Sequence, residues 1–291
     1  MIQTTFQTLK KQPEIILGVF IVFLVVVLAE IPLVTGMDDV MIDFQRLESG
    51  QTDAAHDVVS YYAKISLISL FIGIFSGFFA IPTLMNRTYE ACAGIAEPGW
   101  IGRGIKRCWW KPFVMGLLIG AGAMVVSLVS IILAIIPILG QLILFAVMIS
   151  MVVFAIISYT AVIAEPDLGS GLGGIFKIGS RYFFKLLGVV TVVIIVPMVL
   201  LSTVSGIIMS KNMMDIYSST PTQDLSEAAA YMEQIMKPVY TMIVVMGLYA
   251  VFAYPFVYTY SMHQYLSTNG AKEPYIGPVS DYVIQSRDMT L

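Results

Sequence analysis

Glu30 is the one ionisable residue set well inside an apolar stretch, with charge-free sequence from Ile15 to Ala29 before it and Ile31 to Thr35 after it. A carboxylate in hydrocarbon is costly, so such a residue marks an ion or proton site unless it reaches the membrane surface. Its chemistry would be a proton relay, or an ion pair with Lys64 at the start of the next apolar stretch. Gln141 is a weaker polar candidate in a later stretch. Together Glu30, Lys64 and Gln141 are the candidate intramembrane polar site. The plainer reading of Glu30, followed at once by Pro32, is an interfacial carboxylate reaching the headgroups.

Two basic stripes offer a second kind of chemistry, the binding of phosphate. Arg103, Arg107 and Lys111 are spaced i, i+4, i+8, and so are Lys177, Arg181 and Lys185. That spacing gathers cations on one face of a helix. Trp109 and Trp110 accompany the first stripe, and Phe183 the second. The expected picture is a short amphipathic helix in the inner headgroup layer, cations toward phosphate and aromatics toward the acyl boundary.

Other candidates fall away on context. Gly169-Ser170-Gly171-Leu172-Gly173-Gly174 satisfies G-x-G-x-x-G, but a dinucleotide site needs a strand before it, and an apolar helix precedes it here. His56 and His263 fall on opposite sides of the membrane. Asp38, Asp39 and Asp43 lack the ligand density of a calcium loop. Cys92 and Cys108 form no C-x-x-C pair and read as free, reduced thiols. The H-E-x-x-H, G-x-S-x-G and Walker A patterns do not occur. No catalytic residue, cofactor, metal or nucleic-acid partner is expected.

The elements that must position these residues are membrane helices. Of the 291 residues 58% are apolar and 12% charged, about half the charge of a water-soluble domain. A span needs about 20 apolar residues at ~1.5 Å each. Charge-free windows place six, at about 15–35, 65–86, 113–135, 140–164, 186–210 and 238–262. The long run from Phe113 to Ala164 breaks at Ile136-Pro137-Ile138-Leu139-Gly140 into a hairpin. The first stretch exceeds a signal-peptide core, and Glu30-Ile31-Pro32 is no A-x-A site, so it is expected to stay as a helix. The fold expected is an all-α polytopic bundle, one integral membrane domain over 1–291, with 263–291 as a cytoplasmic tail.

Orientation follows from the cations. Twelve of the sixteen Lys and Arg residues fall on one side of this topology, and only Arg46, Lys64, Lys211 and Lys237 on the other. The basic side is expected to be cytoplasmic, with both termini there.

The two large basic-side loops resemble each other. Ile95-Ala96-Glu97-Pro98 recurs as Ile163-Ala164-Glu165-Pro166, and each is followed by a Gly-rich lead, a basic stripe and a charge-free span. A weaker version precedes the first span at Phe6, Leu9, Lys10 and Lys11. The unit would be an interfacial helix followed by a two-span hairpin, used three times.

This layout resembles the membrane domain attached to bacterial glycerophosphodiester phosphodiesterases and related six-span bacterial proteins. The run Phe176-Lys177-Ile178-Gly179-Ser180-Arg181-Tyr182-Phe183-Phe184-Lys185-Leu186-Leu187, its counterpart at 105–113 and the hairpins that follow carry the likeness. The resemblance implies a bacterial plasma-membrane protein. It brings no phosphodiesterase activity and no site residues, since these residues include no soluble catalytic domain. The function expected is a non-enzymatic scaffold or accessory subunit whose partners are the bilayer and other membrane subunits. The alternative is a permease or transporter subunit for a small solute, favoured by Glu30 and by Pro82, Pro197 and Pro255 within the spans.

Overall fold

The computed structural model describes residues 1–35, 40, 43, 46–47, 54–95, 98–133, 136, 139–219 and 225–269. Among them every regular element is helical: α1 (Ile2–Lys11), α2 (Glu14–Thr35), α3 (Ala54–Ile74), α4 (Ile81–Ala93), α5 (Trp100–Cys108), α6 (Lys111–Leu133), α7 (Leu139–Ala164), α8 (Leu168–Gly174), α9 (Ser180–Val190), α10 (Val196–Ser219) and α11 (Leu225–Thr268). Three wide π-helical turns, Phe75–Ala80, Ile175–Gly179 and Thr191–Ile195, join α3 to α4, α8 to α9 and α9 to α10.

Helices are what an apolar chain must form in lipid, where each backbone N–H and C=O needs a partner in its own segment. Five are long and apolar enough to cross a membrane: Ala54–Ile74, Lys111–Ser130, Leu139–Ala164, Leu168–Val204 and Val244–Thr268. A sixth is added if Ile2–Lys11 and Glu14–Ala29, bent by 75°, are taken as one. Over its described residues the protein is therefore an all-helical membrane protein with five or six such helices. The outward faces agree, since Leu117, Met124 and Leu128 of α6 are each at least 60% exposed. Water would penalise such a surface; hydrocarbon does not.

The helices overlap the expected windows without coinciding with them. Ala54–Ile74 covers the first part of the 65–86 window, which then runs on through the π turn Phe75–Ala80 into α4, whose buried residues are mostly polar. The second basic stripe is not a separate interfacial helix. Leu168–Val204 runs as one helix of 37 residues, interrupted only by π turns. The last helix continues past 262 to Thr268, and 270–291 lie outside the described residues.

The chain divides into two compact units. One takes Met1–Gly18, Gly77–Thr191 and the chain from Tyr254; the other takes Val19–Ser76 and Val192–Ala253. In the first, the C-terminal half of α7 is the hub. Val153, Ile157, Ala161, Val162 and Ile163 are almost wholly buried. Ile178, Tyr182, Leu186 and Val190, one buried residue per turn, form the face that α9 turns inward. Thr160 of α7 shares a hydroxyl hydrogen bond with Ser261 of α11 at 2.9 Å.

The α4–α5 corner depends on glycine. Gly94 ends α4 with φ 76° and Gly99 starts α5 with φ 77°, left-handed conformations that a side chain resists. Gly104 then lets the two helices touch, for a Cβ there would lie 2.7 Å from the Thr83 Cα. This contact sets the site described next.

Candidate functional site

Within the first unit, polar side chains converge at the α4–α5 corner. Asn86, Arg87 and Glu90 lie within two turns of α4, each at most 5% exposed. Charges so deeply placed must be paired. Glu90 receives a two-pronged hydrogen bond from Arg103 of α5, Nε to Oε1 and Nη2 to Oε2, both at 2.9 Å. Asn86 Nδ2 donates to Glu90 Oε1 at 2.9 Å, and Arg87 Nη1 lies 3.5 Å from Oε2. Bidentate guanidinium–carboxylate pairing is the strongest form of this contact.

Arg87 carries the network to the start of the chain. Its Nη2 donates to Gln12 Oε1 at 2.7 Å and to the Glu14 carboxylate, and its guanidinium stands 5.9 Å from the Trp100 ring centre. One residue thus ties the α1–α2 junction to α4 and α5.

Arg107 sits over the Tyr89 ring at 4.4 Å, within reach of a cation–π contact, and donates to the Ile163 carbonyl at 3.3 Å. Lys111 is 2% exposed. Its Nζ donates to the carbonyls of Val162, Glu165 and Pro166 at 3.4, 2.8 and 2.9 Å. Those oxygens close α7, and an ammonium at a helix C-terminus satisfies both the orphan carbonyls and the helix dipole. The Glu165 carboxylate accepts from Tyr265 Oη at 2.8 Å and Asn269 Nδ2 at 3.0 Å, fastening the same corner to α11.

The sequence candidates divide accordingly. Arg103, Arg107 and Lys111 are brought together, but on protein carboxylates, carbonyls and an aromatic ring. Trp109 and Trp110 are 48% and 37% exposed beside them. Lys177, Arg181 and Lys185 are exposed on their helix, and Phe183 is half-buried. Lys64 on α3 and Gln141 on α7 are exposed, while the side chain of Glu30 lies outside the described residues. So do Asp38 and Asp39. Glu14, Asn86, Arg87, Glu90 and Glu165 escaped sequence reasoning. Their signal was present in the i, i+3, i+4 spacing of Asn86, Arg87... Glu90, where three polar groups share one helix face beside a loop rich in arginine.

Chemically the corner is closed. Burial pushes the Cys108 thiol up to about 11 despite the nearby cations of Arg107 and Lys111, and it raises Cys92 as well. Neither is a ready thiolate. The exposed Asp167 carboxylate is held below its ordinary range by the backbone N–H and hydroxyl of Ser170, both at 2.8 Å, where it caps α8. No group of three or more His, Cys, Asp or Glu among the described residues is placed to hold a metal. A groove of about 460 Å³ is walled by Ile143, Val147, Met151, Phe154 and Phe183, with Ser150 its polar contribution. It has an apolar lining without the converging polar groups that orient a small substrate. Compared with known proteins, the chain matches no family model, no curated protein and no solved structure.

Proposed function

We propose that this protein is a non-enzymatic integral membrane scaffold or accessory subunit of a bacterial plasma-membrane complex, with both termini and its basic face in the cytoplasm. The observation that carries this reading is the use made of the buried charges. Glu14, Arg87, Glu90, Arg103, Lys111 and Glu165 each have a protein partner in the corner network. Such a network fixes the geometry of helix ends and offers no group to a reacting molecule. It gives the basic face a rigid mount from which it can meet anionic lipid or a partner subunit.

In this reading α1 and α2 form the sixth membrane element. α1 presents Ile2 and Phe6 outward, buries Thr5 and Leu9, and keeps Lys10 and Lys11 on its polar side, as an interfacial helix does. The likeness between the α5–α6–α7 and α8–α11 segments supports a repeated hairpin unit, related to the phosphodiesterase membrane domains only by the sequence resemblance.

The test is isolation from native membranes in mild detergent after short-range crosslinking. A scaffold is expected to bring a defined membrane partner with it, and the Glu30→Gln variant should bring the same partner. Solute flux in proteoliposomes that disappears in Glu30→Gln while the protein stays folded would replace this reading with the permease alternative.

A further inference from the structure

The two basic stripes have identical spacing and different surroundings. Arg103, Arg107 and Lys111 are turned onto Glu90, the Tyr89 ring and the carbonyls that close α7. Lys177, Arg181 and Lys185 are exposed, and no ion pair to a described residue holds them. Between Asp167 and Asp215 the chain has no carboxylate at all. Three cations along about 12 Å of helix face therefore stand without acids of their own segment to pair with.

Their neighbours decide what they fit. Phe176 and Phe184 are 71% and 80% exposed. An acidic soluble partner would leave these phenyl rings in water, whereas the acyl–headgroup boundary takes them. Depth agrees. Leu168–Val204 has 37 residues, about 55 Å of helix, against a hydrocarbon core of ~30 Å. The charge-free part from Leu186 to Val204 is long enough to fill that core. Lys185 then lies at the edge of the hydrocarbon, and Arg181 and Lys177 one and two turns beyond it, at the level of phosphate.

From this juxtaposition we infer that Lys177, Arg181 and Lys185, flanked by Phe176 and Phe184, form a docking site for anionic phospholipid headgroups, and that the first stripe does not. The inference rests on the inner-face placement adopted above, and it names which cations meet lipid and what they meet.

The experiment uses the full chain, delipidated in mild detergent and titrated with phosphatidylglycerol or phosphatidylcholine, with bound lipids counted by native mass spectrometry. Wild type is expected to hold phosphatidylglycerol more tightly than phosphatidylcholine and to release it as salt rises. The K177Q/R181Q/K185Q variant should bind phosphatidylglycerol at least roughly tenfold more weakly, since each such cation near an anionic surface matters several-fold. K106Q/K211Q, which removes exposed cations elsewhere, should bind as wild type does, and so should the charge-preserving K177R/R181K/K185R. Equal binding of the two lipids by wild type, or salt-independent binding, overturns the inference even if the triple variant fails to fold. So does a folded triple variant that keeps its phosphatidylglycerol, or one that keeps the lipid and loses an acidic protein. Flux and partner isolation bear on the scaffold reading alone, so the two can fail separately.

Discussion

Replacing Glu90 with Gln should be the most damaging single-atom change in the protein. The carboxylate is 6% exposed and faces Arg103 through two hydrogen bonds of 2.9 Å, with Arg87 at 3.5 Å. Gln keeps the volume and one acceptor, so Asn86 retains a partner, but the guanidinium fork meets an amide instead of an anion. Removing one partner of a buried pair costs about 3–5 kcal/mol. Arg103 is 25% exposed and Arg87 still has Glu14, so the lower end, about 3 kcal/mol, is expected here. For a chain of this size that is a fall in melting temperature of roughly 6–12 °C.

Thermal unfolding in mild detergent, followed by tryptophan fluorescence, reads it well, because Trp100 faces Arg87 and moves with the corner. The pairing itself is isolated by a cycle of Glu90→Gln, Arg103→Gln and the double variant. The double should lie above the sum of the singles by about 1–3 kcal/mol, since it leaves no uncompensated charge. A Glu90→Gln melting point within about 1–2 °C of wild type would refute the claim that a closed ionic network mounts this corner. Strict additivity in the cycle would refute it too.

Gly104→Ala should cost about 1–3 kcal/mol, because its methyl would meet the Thr83 Cα at 2.7 Å, whereas Gly122→Ala, with open space around it, should be neutral or slightly stabilising in the same melt. Cys108, buried, should resist maleimide at neutral pH in the folded protein and label on denaturation, with half-buried Cys92 slower than a free thiol because burial suppresses its deprotonation too; rapid native labelling of Cys108 would show that the corner opens. Asp167→Asn should speed hydrogen exchange at the first amides of α8. Because its folded carboxylate titrates below the unfolded range near 3.9, the advantage of wild type is fully present above that range and is lost as pH falls through the lowered folded value.

The membrane character was legible because it is written in absences: long windows without charge leave a helix in lipid as the one way to satisfy the backbone. The basic stripes were legible as spacing. What each stripe meets was not, because spacing places cations on a helix face without saying what lies opposite. Glu90 is thirteen residues from Arg103 in the chain, and Glu14 is seventy-three from Arg87. Only the fold brings them together. A hint was available on the basic side up to Lys185, where the five carboxylates Glu14, Glu90, Glu97, Glu165 and Asp167 stand against ten cations. Acids so outnumbered are drawn into pairs. The bend at Gln12–Pro13 and the fusion of the second stripe into one long helix left no sequence signal as strong as charge.

The prolines show why an irregular span need not be a binding site. Pro82 and Pro197 each follow a π turn, Phe75–Ala80 and Thr191–Ile195, by two residues. A proline inside a helix clashes with the carbonyl four residues back and leaves it without a donor. Widening the preceding turn relieves the clash, and at Pro197 a hydroxyl finds the freed oxygen. Tyr249 donates to Val193, the very carbonyl that Pro197 cannot serve, while Thr83 beside Pro82 bonds back to the Phe79 carbonyl one turn before it. Thr191 donates to Leu187 at 2.8 Å as that π turn begins. In a transporter, groups released by a broken helix are the ones that hold the solute. At Pro197 a side chain of the protein takes that oxygen, as Arg103 takes Glu90 at the corner. The same economy at both places, in which a group released or buried by the fold is met by another residue of the chain, is what favours a mount over a passage.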